Sequence, residues 1–334
     1  MKVCVVGLGA IGGLIAGGLA RRPGPEPLEL SALARGATLA AVRAQGLRLE
    51  TADATLAVPI RATDRAAELG VQDLVVVAVK APALAGVADA VHAMCGPQTR
   101  VLTAMNGVPW WFFDGLPGPC AGLALESVDP GGRLRRMIPA AQVIGCVVHL
   151  SASTPAPGLV QHARGNGLIV GRPAGGLDGE LESWARRLGE AGFAVTLSER
   201  IQREIWFKLW GNMTLNPVSA LTGATSDRIL DDPLVRGFCS AVMHEAQALG
   251  AAFGIPIDEA PEARHAVTRR LGRFKTSMLQ DLEAGRPLEL DALLGAAREI
   301  AQRLGQATPA IDTLFGLARL MARERGLYPE PPPA

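Results

Sequence analysis

This 334-residue sequence predicts an α/β protein in two parts, a parallel sheet flanked by helices and then an all-helical carboxyl-terminal half. Three observations predict it. Short aliphatic, β-branched runs recur through the first hundred positions and end in glycine or a polar residue, as buried parallel strands do. The first run passes directly into a glycine-rich turn and a helix. From Ser198 onward the apolar period becomes helical and is punctuated by Gly and Pro.

The first strand is read over residues 2–6, where Val3-Cys4-Val5-Val6 suits a buried position. Gly7-Leu8-Gly9-Ala10-Ile11-Gly12 follows at once and opens a helix over about 11–21. This is G-x-G-x-x-G in the strand–turn–helix context that gives the pattern meaning. Gly7 permits the tight turn, Gly9 lets the backbone approach a pyrophosphate, and Gly12 lets the helix pack on the strand. Unbonded N–H groups at the helix start then hold the anion. A Rossmann-type dinucleotide-binding domain follows from that reading. The second strand spans 28–34, and its carboxyl end is where NAD-specific sites place an acid for the ribose 2′-hydroxyl. Arg35 and Gly36 stand there instead. An arginine pairs with a 2′-phosphate and the missing carboxylate removes a repulsion, so NADP(H) is the expected cofactor. The bland alternative is a loop arginine meeting solvent.

A third buried strand, 73–79, ends in Lys80, and a fourth, 100–105, ends in Asn106-Gly107. Ligands in open parallel sheets bind beyond the carboxyl ends of strands, so Lys80 and Asn106 are expected to project toward the cofactor crevice. Lys80 taken alone reads more simply as a solvent-facing strand tip. Two polar-ended strands beside the glycine loop shift the balance. Segments at about 141–150 and 158–171 read as extended chain that finishes the sheet with some antiparallel character. Residues 3–20 carry no charge and superficially resemble a membrane segment, and Gly13-x-x-x-Gly17 matches a helix-dimer pattern. Six glycines in that stretch argue against a membrane helix, and a soluble protein is expected.

Composition narrows the function. Lysine plus arginine is 33 and aspartate plus glutamate 32, so no bulk charge points to nucleic acid or an anionic membrane. The five cysteines are dispersed, without C-x-x-C or Cys/His spacing for a metal, which fits a cytoplasmic protein with no metal site. Domains are expected at 1–197 and 198–328, with a Pro-rich tail at 329–334.

Helices are predicted at 199–216, 231–253, 259–284, 288–305 and 308–325. Pro217 is expected to end or kink the first of them. In that helix Lys208, Asn212 and Asn216 are four residues apart within W-F-K-L-W-G-N-M-T-L-N-P. At about 100° per residue they fall on one stripe. Trp206, Phe207, Leu209 and Trp210 are taken to flank it, and Trp206 and Trp210 to desolvate the ammonium in part. The stripe reads equally as a ligand site or as a solvated face. Gly285 and Pro287 separate Ser277 from Glu289, so Glu289 sits near the start of a new helix and can fold back toward Ser277. A first-turn acid favouring the helix dipole is the simpler account of Glu289, and Asp291 competes with it on equal grounds.

The set as a whole resembles the ketopantoate reductase (2-dehydropantoate 2-reductase) family, essentially end to end. The residues that carry the likeness are G-L-G-A-I-G at 7–12, A-R-G at 34–36, V-K at 79–80 and N-G at 106–107. K-L-W-G-N-M-T-L-N-P at 208–217, S-M-L-Q-D at 277–281 and L-E-L-D at 288–291 complete it. The resemblance implies NADPH-dependent reduction of 2-dehydropantoate to (R)-pantoate in pantothenate biosynthesis, by a monomer or homodimer. It implies a cleft between a Rossmann domain and a helical one. Lys208 would be the general acid, and Glu289 would support substrate and nicotinamide. Asn212, Asn216 and Ser277 would hold the substrate, while Lys80 and Asn106 would work where cofactor and substrate meet. Hydride addition to a 2-oxo acid builds charge on the ketone oxygen, and a positioned acid meets that need.

Two departures bear on the substrate. Asn106-Gly107 runs into Val108-Pro109-Trp110-Trp111-Phe112-Phe113, and Phe274 stands three residues before Ser277. Both are expected to make the pocket more apolar, unless the aromatic run caps the sheet or forms a subunit contact. A reductase of a bulkier 2-oxo acid, a non-catalytic NADP(H) sensor and a dehydrogenase of 3-hydroxy acids or polyol phosphates are the competing readings.

Overall fold

The structure, a computed structural model, describes residues 1–22, 27–51 and 54–330, so 331–334 of the expected Pro-rich tail lie outside the described residues. The chain divides into two compact units. The first comprises Met1–Met105, Trp111–Leu116 and Gly132–Glu204. The second comprises Asn106–Trp110, Pro117–Gly131 and Ile205–Ala334. That division falls inside a helix, after Glu204, and it assigns the short segments 106–110 and 117–131 to the second unit.

The first unit carries a ten-stranded sheet. Its strands are β1 (Lys2–Val6), β2 (Glu29–Leu33), β3 (Leu47–Glu50), β4 (Thr55–Val58), β5 (Arg61–Thr63), β6 (Leu74–Val77), β7 (Arg100–Ala104), β8 (Val143–Ala156), β9 (Leu159–Gly171) and β10 (Ala194–Leu197). The order is β4-β3-β9-β8-β7-β6-β1-β2-β5, and β10 also pairs with β9. From β5 to β8 every pairing is parallel, with Val3, Val5 and Val6 of β1 opposite Leu74, Val76 and Val77 of β6. Buried on both faces, these strands are the near-continuous apolar runs of a covered sheet. β8 and β9 form an antiparallel hairpin longer than any other strand pair here, as the extended segments at 141–150 and 158–171 foretold in part. Helices α1 (Ala10–Arg21), α2 (Gly36–Gln45), α3 (Ala88–Ala93), α4 (Arg133–Met137) and α5 (Gly179–Glu190) accompany the sheet. Arg172 joins Asp178, the side-chain cap of α5, to Glu180, which also binds Arg100 of β7.

The Gly13/Gly17 pair has an internal use. A Cβ at Gly13 would lie 2.4 Å from Val160 Cγ2 and one at Gly17 would lie 2.1 Å from Leu49 Cδ1. The small-residue face of α1 is therefore the surface that lets it lie close against β9 and β3.

The second unit is helical. Helix α6 (Ile201–Thr222) starts in the first unit and continues into the second. It is followed by α7 (Ser226–Asp231), α8 (Pro233–Ala252), α9 (Pro261–Arg270) and α10 (Ser277–Glu283). A π-helical turn (Asp291–Gly295) then leads into α11 (Ala296–Leu304), and α12 (Pro309–Glu324) closes the unit. Two expectations are corrected. α6 does not end before Pro217 but runs through it to Thr222, because a proline forfeits one helical hydrogen bond while Val218, Ser219 and Ala220 beyond it are buried and hold the last turns in place. The single helix read over 259–284 is two helices. Gly272 turns at φ +71°, and Thr276 restarts the chain by accepting the Leu279 N–H as an N-cap.

Among the described residues no helix is long and apolar enough to cross a membrane. Among the described residues the five cysteines form no disulfide, and burial raises Cys4 to about 11 and Cys239 to about 12, so these two behave as small apolar groups.

Candidate active site

In the first unit the glycine turn opens onto a cavity of about 400 Å³. Val6, Gly7, Leu8 and Gly9 line it together with Leu33, Ala34, Arg35 and Thr38. Gly7 has φ +92°, a backbone conformation that side chains resist. A Cβ at Gly12 would stand 1.9 Å from the Gly7 carbonyl oxygen, so only glycine lets the helix close onto the turn. A Cβ at Gly9 would meet nothing within 4 Å, which is the open approach a phosphate needs. Ala10 and Ile11 begin α1. These features fit the pyrophosphate of a dinucleotide.

Arg35 is the N-cap residue of α2, and its guanidinium donates to the Gly86 carbonyl at 3.4 Å. No carboxylate lines the cavity among the described residues. Lys80 follows Val79, itself a wall residue, and introduces the short turn at Ala81–Ala83. Two parts of the cavity escaped the sequence reading. Thr38 lies in the first turn of α2, which its place three residues after Arg35 could have signalled. The other part is the tip of the β8–β9 hairpin, Thr154 to Gly158. Its Pro-Ala-Pro-Gly sequence marks a turn, but nothing local says that the turn reaches the nucleotide cavity.

In the second unit α6 presents the polar stripe. Lys208 and Asn212 are half-buried and Asn216 is 7% exposed. The Lys208 ammonium donates to Asn106 Oδ1 at 2.9 Å. Asn216 Nδ2 stands 3.5 Å from Ser277 Oγ, at the first position of α10. Glu289 is also 7% exposed, and its carbonyl accepts the Leu293 N–H at 3.2 Å. Asp291, its sequence competitor, accepts the Tyr328 hydroxyl at 2.5 Å. The structure thus joins Lys208 to Asn106 and Asn216 to Ser277, while Arg35 and Lys80 belong with the glycine turn in the first unit.

Asn106 is held by its neighbours. Val108 N–H donates to the Ala292 carbonyl at 2.8 Å, and Gly107 turns at φ +81° flat against Ala292. A short strap thereby presents the carboxamide to Lys208.

Two expectations about aromatic residues are corrected. Trp206 and Trp210 lie about 160° around the helix from Lys208 at 100° per residue, so they occupy the opposite face. Trp206 stacks edge-on against Phe253, and Trp210 Nε1 donates to the Met243 carbonyl at 2.9 Å in the core. They anchor α6 and do not flank the ammonium. The 110–113 run is packed away as well: all four rings are buried, and Trp111 covers Gly145 of β8, where a Cβ would come within 2.5 Å of the indole. These rings are core, and Trp111 lies over the sheet as the capping alternative held. Phe274 is half-buried, and its carbonyl accepts the Ser226 N–H.

A glycine turn on a parallel sheet, shaped for a pyrophosphate, and an amide-held ammonium on a helical unit define the class: a dinucleotide-dependent oxidoreductase. Comparison with known proteins places it further. The family model for ketopantoate reductase PanE/ApbA matches residues 3–110, and the model for its C terminal matches residues 200–322. A 2-dehydropantoate 2-reductase from Mesorhizobium japonicum is 42% identical over 98% of this chain and 100% of its own. A crystal structure of a ketopantoate reductase candidate from Ralstonia solanacearum superposes with a TM-score of 0.93 at 57% identity, covering 98% of this chain and 99% of that one. A PanE/ApbA family ketopantoate reductase from Ralstonia eutropha gives 0.82 at 26% identity, covering 98% and 100%. The chain belongs to the ketopantoate reductase family, whose members are oxidoreductases acting on a CH–OH group.

Proposed function

We propose that this protein reduces the ketone of 2-dehydropantoate to give (R)-pantoate, with NADPH as the reductant. The observation that carries the reading is the Lys208 ammonium, held 2.9 Å from Asn106 Oδ1 on a stripe that continues to Asn212 and Asn216. When bound, the dinucleotide would supply a hydride to the ketone carbon. Lys208 Nζ donates a proton to the ketone oxygen, so the C=O bond becomes CH–OH. The hydrogen bond to Asn106 helps to fix the direction of the ammonium's N–H donors. Asn212, Asn216 and Ser277 present amide and hydroxyl groups suited to a carboxylate and an alcohol. Glu289, buried at the edge of the π-helical turn, supports the substrate and the nicotinamide.

For the cofactor, Arg35 at the cavity wall and the absence of a carboxylate among the described lining residues favour a 2′-phosphate. Lys80, beyond the end of β6, and the Gly7–Gly12 turn complete the dinucleotide set. Functionally, residues 1–197 form the NADP(H)-binding domain and 198–328 the helical substrate domain. Cysteines outside any disulfide suit a cytoplasmic protein, and the family reading is of a monomer or homodimer.

The test is NADPH oxidation against 2-dehydropantoate and a panel of bulkier 2-oxo acids, compared by kcat/KM. Preference for 2-dehydropantoate is expected. A higher kcat/KM for another 2-oxo acid would reassign the substrate, and inactivity with all of them would defeat the reading.

A further inference from the structure

Beyond α12 the chain leaves helical structure but stays attached to the second unit. The Leu327 carbonyl accepts the Leu288 N–H at 3.2 Å, and the Leu327 N–H closes α12 on the Ala322 carbonyl at 2.8 Å. The next residue is the only tyrosine in the sequence. Tyr328 donates its hydroxyl to Asp291 Oδ1 at 2.5 Å. The Arg323 guanidinium lies 5.5 Å from the centroid of its ring, and Arg323 Nε donates to the Pro329 carbonyl at 3.0 Å.

Asp291 opens the π-helical turn, a wider and less favourable winding than the α-helix that persists where surrounding contacts impose it. Two parts of the proposed site depend on that turn. Glu289 enters it two residues earlier, with its carbonyl bonded to Leu293 N–H. Within it Ala292 accepts the Val108 N–H and abuts Gly107, so it sets the strap that carries Asn106 to Lys208. Burial raises the Asp291 carboxyl above its ordinary range, against the opposing pull of the Tyr328 hydroxyl and the charges of Arg319 and Arg323.

We propose that Tyr328 and Asp291 form a latch in which the carboxyl-terminal segment holds the π-helical turn in register, making both of them positioning residues for Glu289 and for the Asn106–Lys208 pair. The catalytic part of this inference rests on the function proposed above; the mechanical part does not.

The experiment has two arms on the full chain. In the first, hydrogen exchange is followed at the Val108 and Leu293 amides in wild type and in Tyr328→Phe, which keeps the ring over Arg323. Faster exchange at both amides is expected, and unchanged exchange would overturn the latch. In the second, kcat and NADPH affinity are measured. Tyr328→Phe and Asp291→Ala should each lower kcat roughly tenfold or more with NADPH affinity unchanged, and the double variant should be no worse than either single one. Asp291→Asn, which keeps an acceptor for the hydroxyl, should recover part of the loss. Additive losses, an equal loss of NADPH affinity, or wild-type kcat in Tyr328→Phe would each reject a positioning role. If exchange quickens as expected but the wild type reduces no 2-oxo acid, the proposed activity fails and the mechanical latch stands.

Discussion

Alanine at position 107 adds one methyl group to the strap that presents Asn106. Gly107 has φ +81°, and the left-handed region costs an alanine about 1–2 kcal/mol. The new Cβ would lie 2.5 Å from the Ala292 carbonyl oxygen and 2.6 Å from its Cβ. Most of that obstruction is backbone inside the π-helical turn and cannot swing aside. Overpacking of this kind costs about 1–3 kcal/mol. The sum, about 2–5 kcal/mol, can be divided with a control. Gly305 also has a positive φ, +65°, but nothing stands within 4 Å of its would-be Cβ, so Gly305→Ala carries the backbone cost alone. The difference between the two variants, about 1–3 kcal/mol, measures the clash. It is relieved by stretching the 2.8 Å bond from Val108 N–H to Ala292, which moves Asn106 off the ammonium. The assay pairs chemical denaturation of both variants with kcat and NADPH affinity. Gly107→Ala should unfold at lower denaturant than Gly305→Ala and lose at least about tenfold in kcat at unchanged NADPH affinity. Equal denaturation midpoints together with a wild-type kcat would refute the strap.

Lys208→Ala should cut turnover by roughly two orders of magnitude or more while NADPH still binds, as measured by cofactor titration; near-wild-type turnover removes Lys208 from the acid role. Arg35→Ala should raise the KM for NADPH far more than that for NADH, and equal effects on both would sink the 2′-phosphate assignment. His265, buried and 3.0 Å from Ser240 Oγ, has its pKa lowered by desolvation, with Arg236 and Arg269 acting in the same direction and Glu262 against it. The folded state therefore resists protonation more than the unfolded chain does. The stability His265 contributes is complete above the ordinary histidine value of 6.5 and is lost as pH falls through and below it. The Tm of His265→Asn should accordingly fall less between pH 7.5 and 5.5, chosen as round values about the ordinary histidine pKa, than that of wild type; parallel curves would exclude the residue.

The fold was legible where a pattern is long or chemically marked. Parallel strands announced themselves because strands covered on both faces have no polar positions to interrupt them, as in β1 and β6. Gly7 and Gly12 were readable because only glycine fits those backbones. The three- and four-residue strands β3, β4, β5 and β10 were not read, since so few residues display no period, and β3, β5 and β10 each pair with a strand distant in sequence. Pro217 misled because proline statistics describe an average helix, whereas the turns after it are held by burial. The tryptophans misled through proximity in sequence. Neighbours two apart on a helix face nearly opposite ways, so the rings that seem to flank Lys208 belong to the core.

By itself, the sequence determined the dinucleotide motif, the polar stripe of Lys208, Asn212 and Asn216, and the family to which the chain belongs. Those are local matters: residue identity at short spacing suffices when the chemistry lies within one turn or one helix face. Tertiary structure decided which groups meet. It brought Asn106 to Lys208 across a hundred positions, tied Asp291 to Tyr328 while leaving Glu289 buried beside it, and carried the β8–β9 tip to the cavity wall. It also consigned the 110–113 aromatics to the core. Each of these outcomes depends on a contact between residues far apart in the chain, and such contacts are set by packing and chain closure, which leave no period in a sequence.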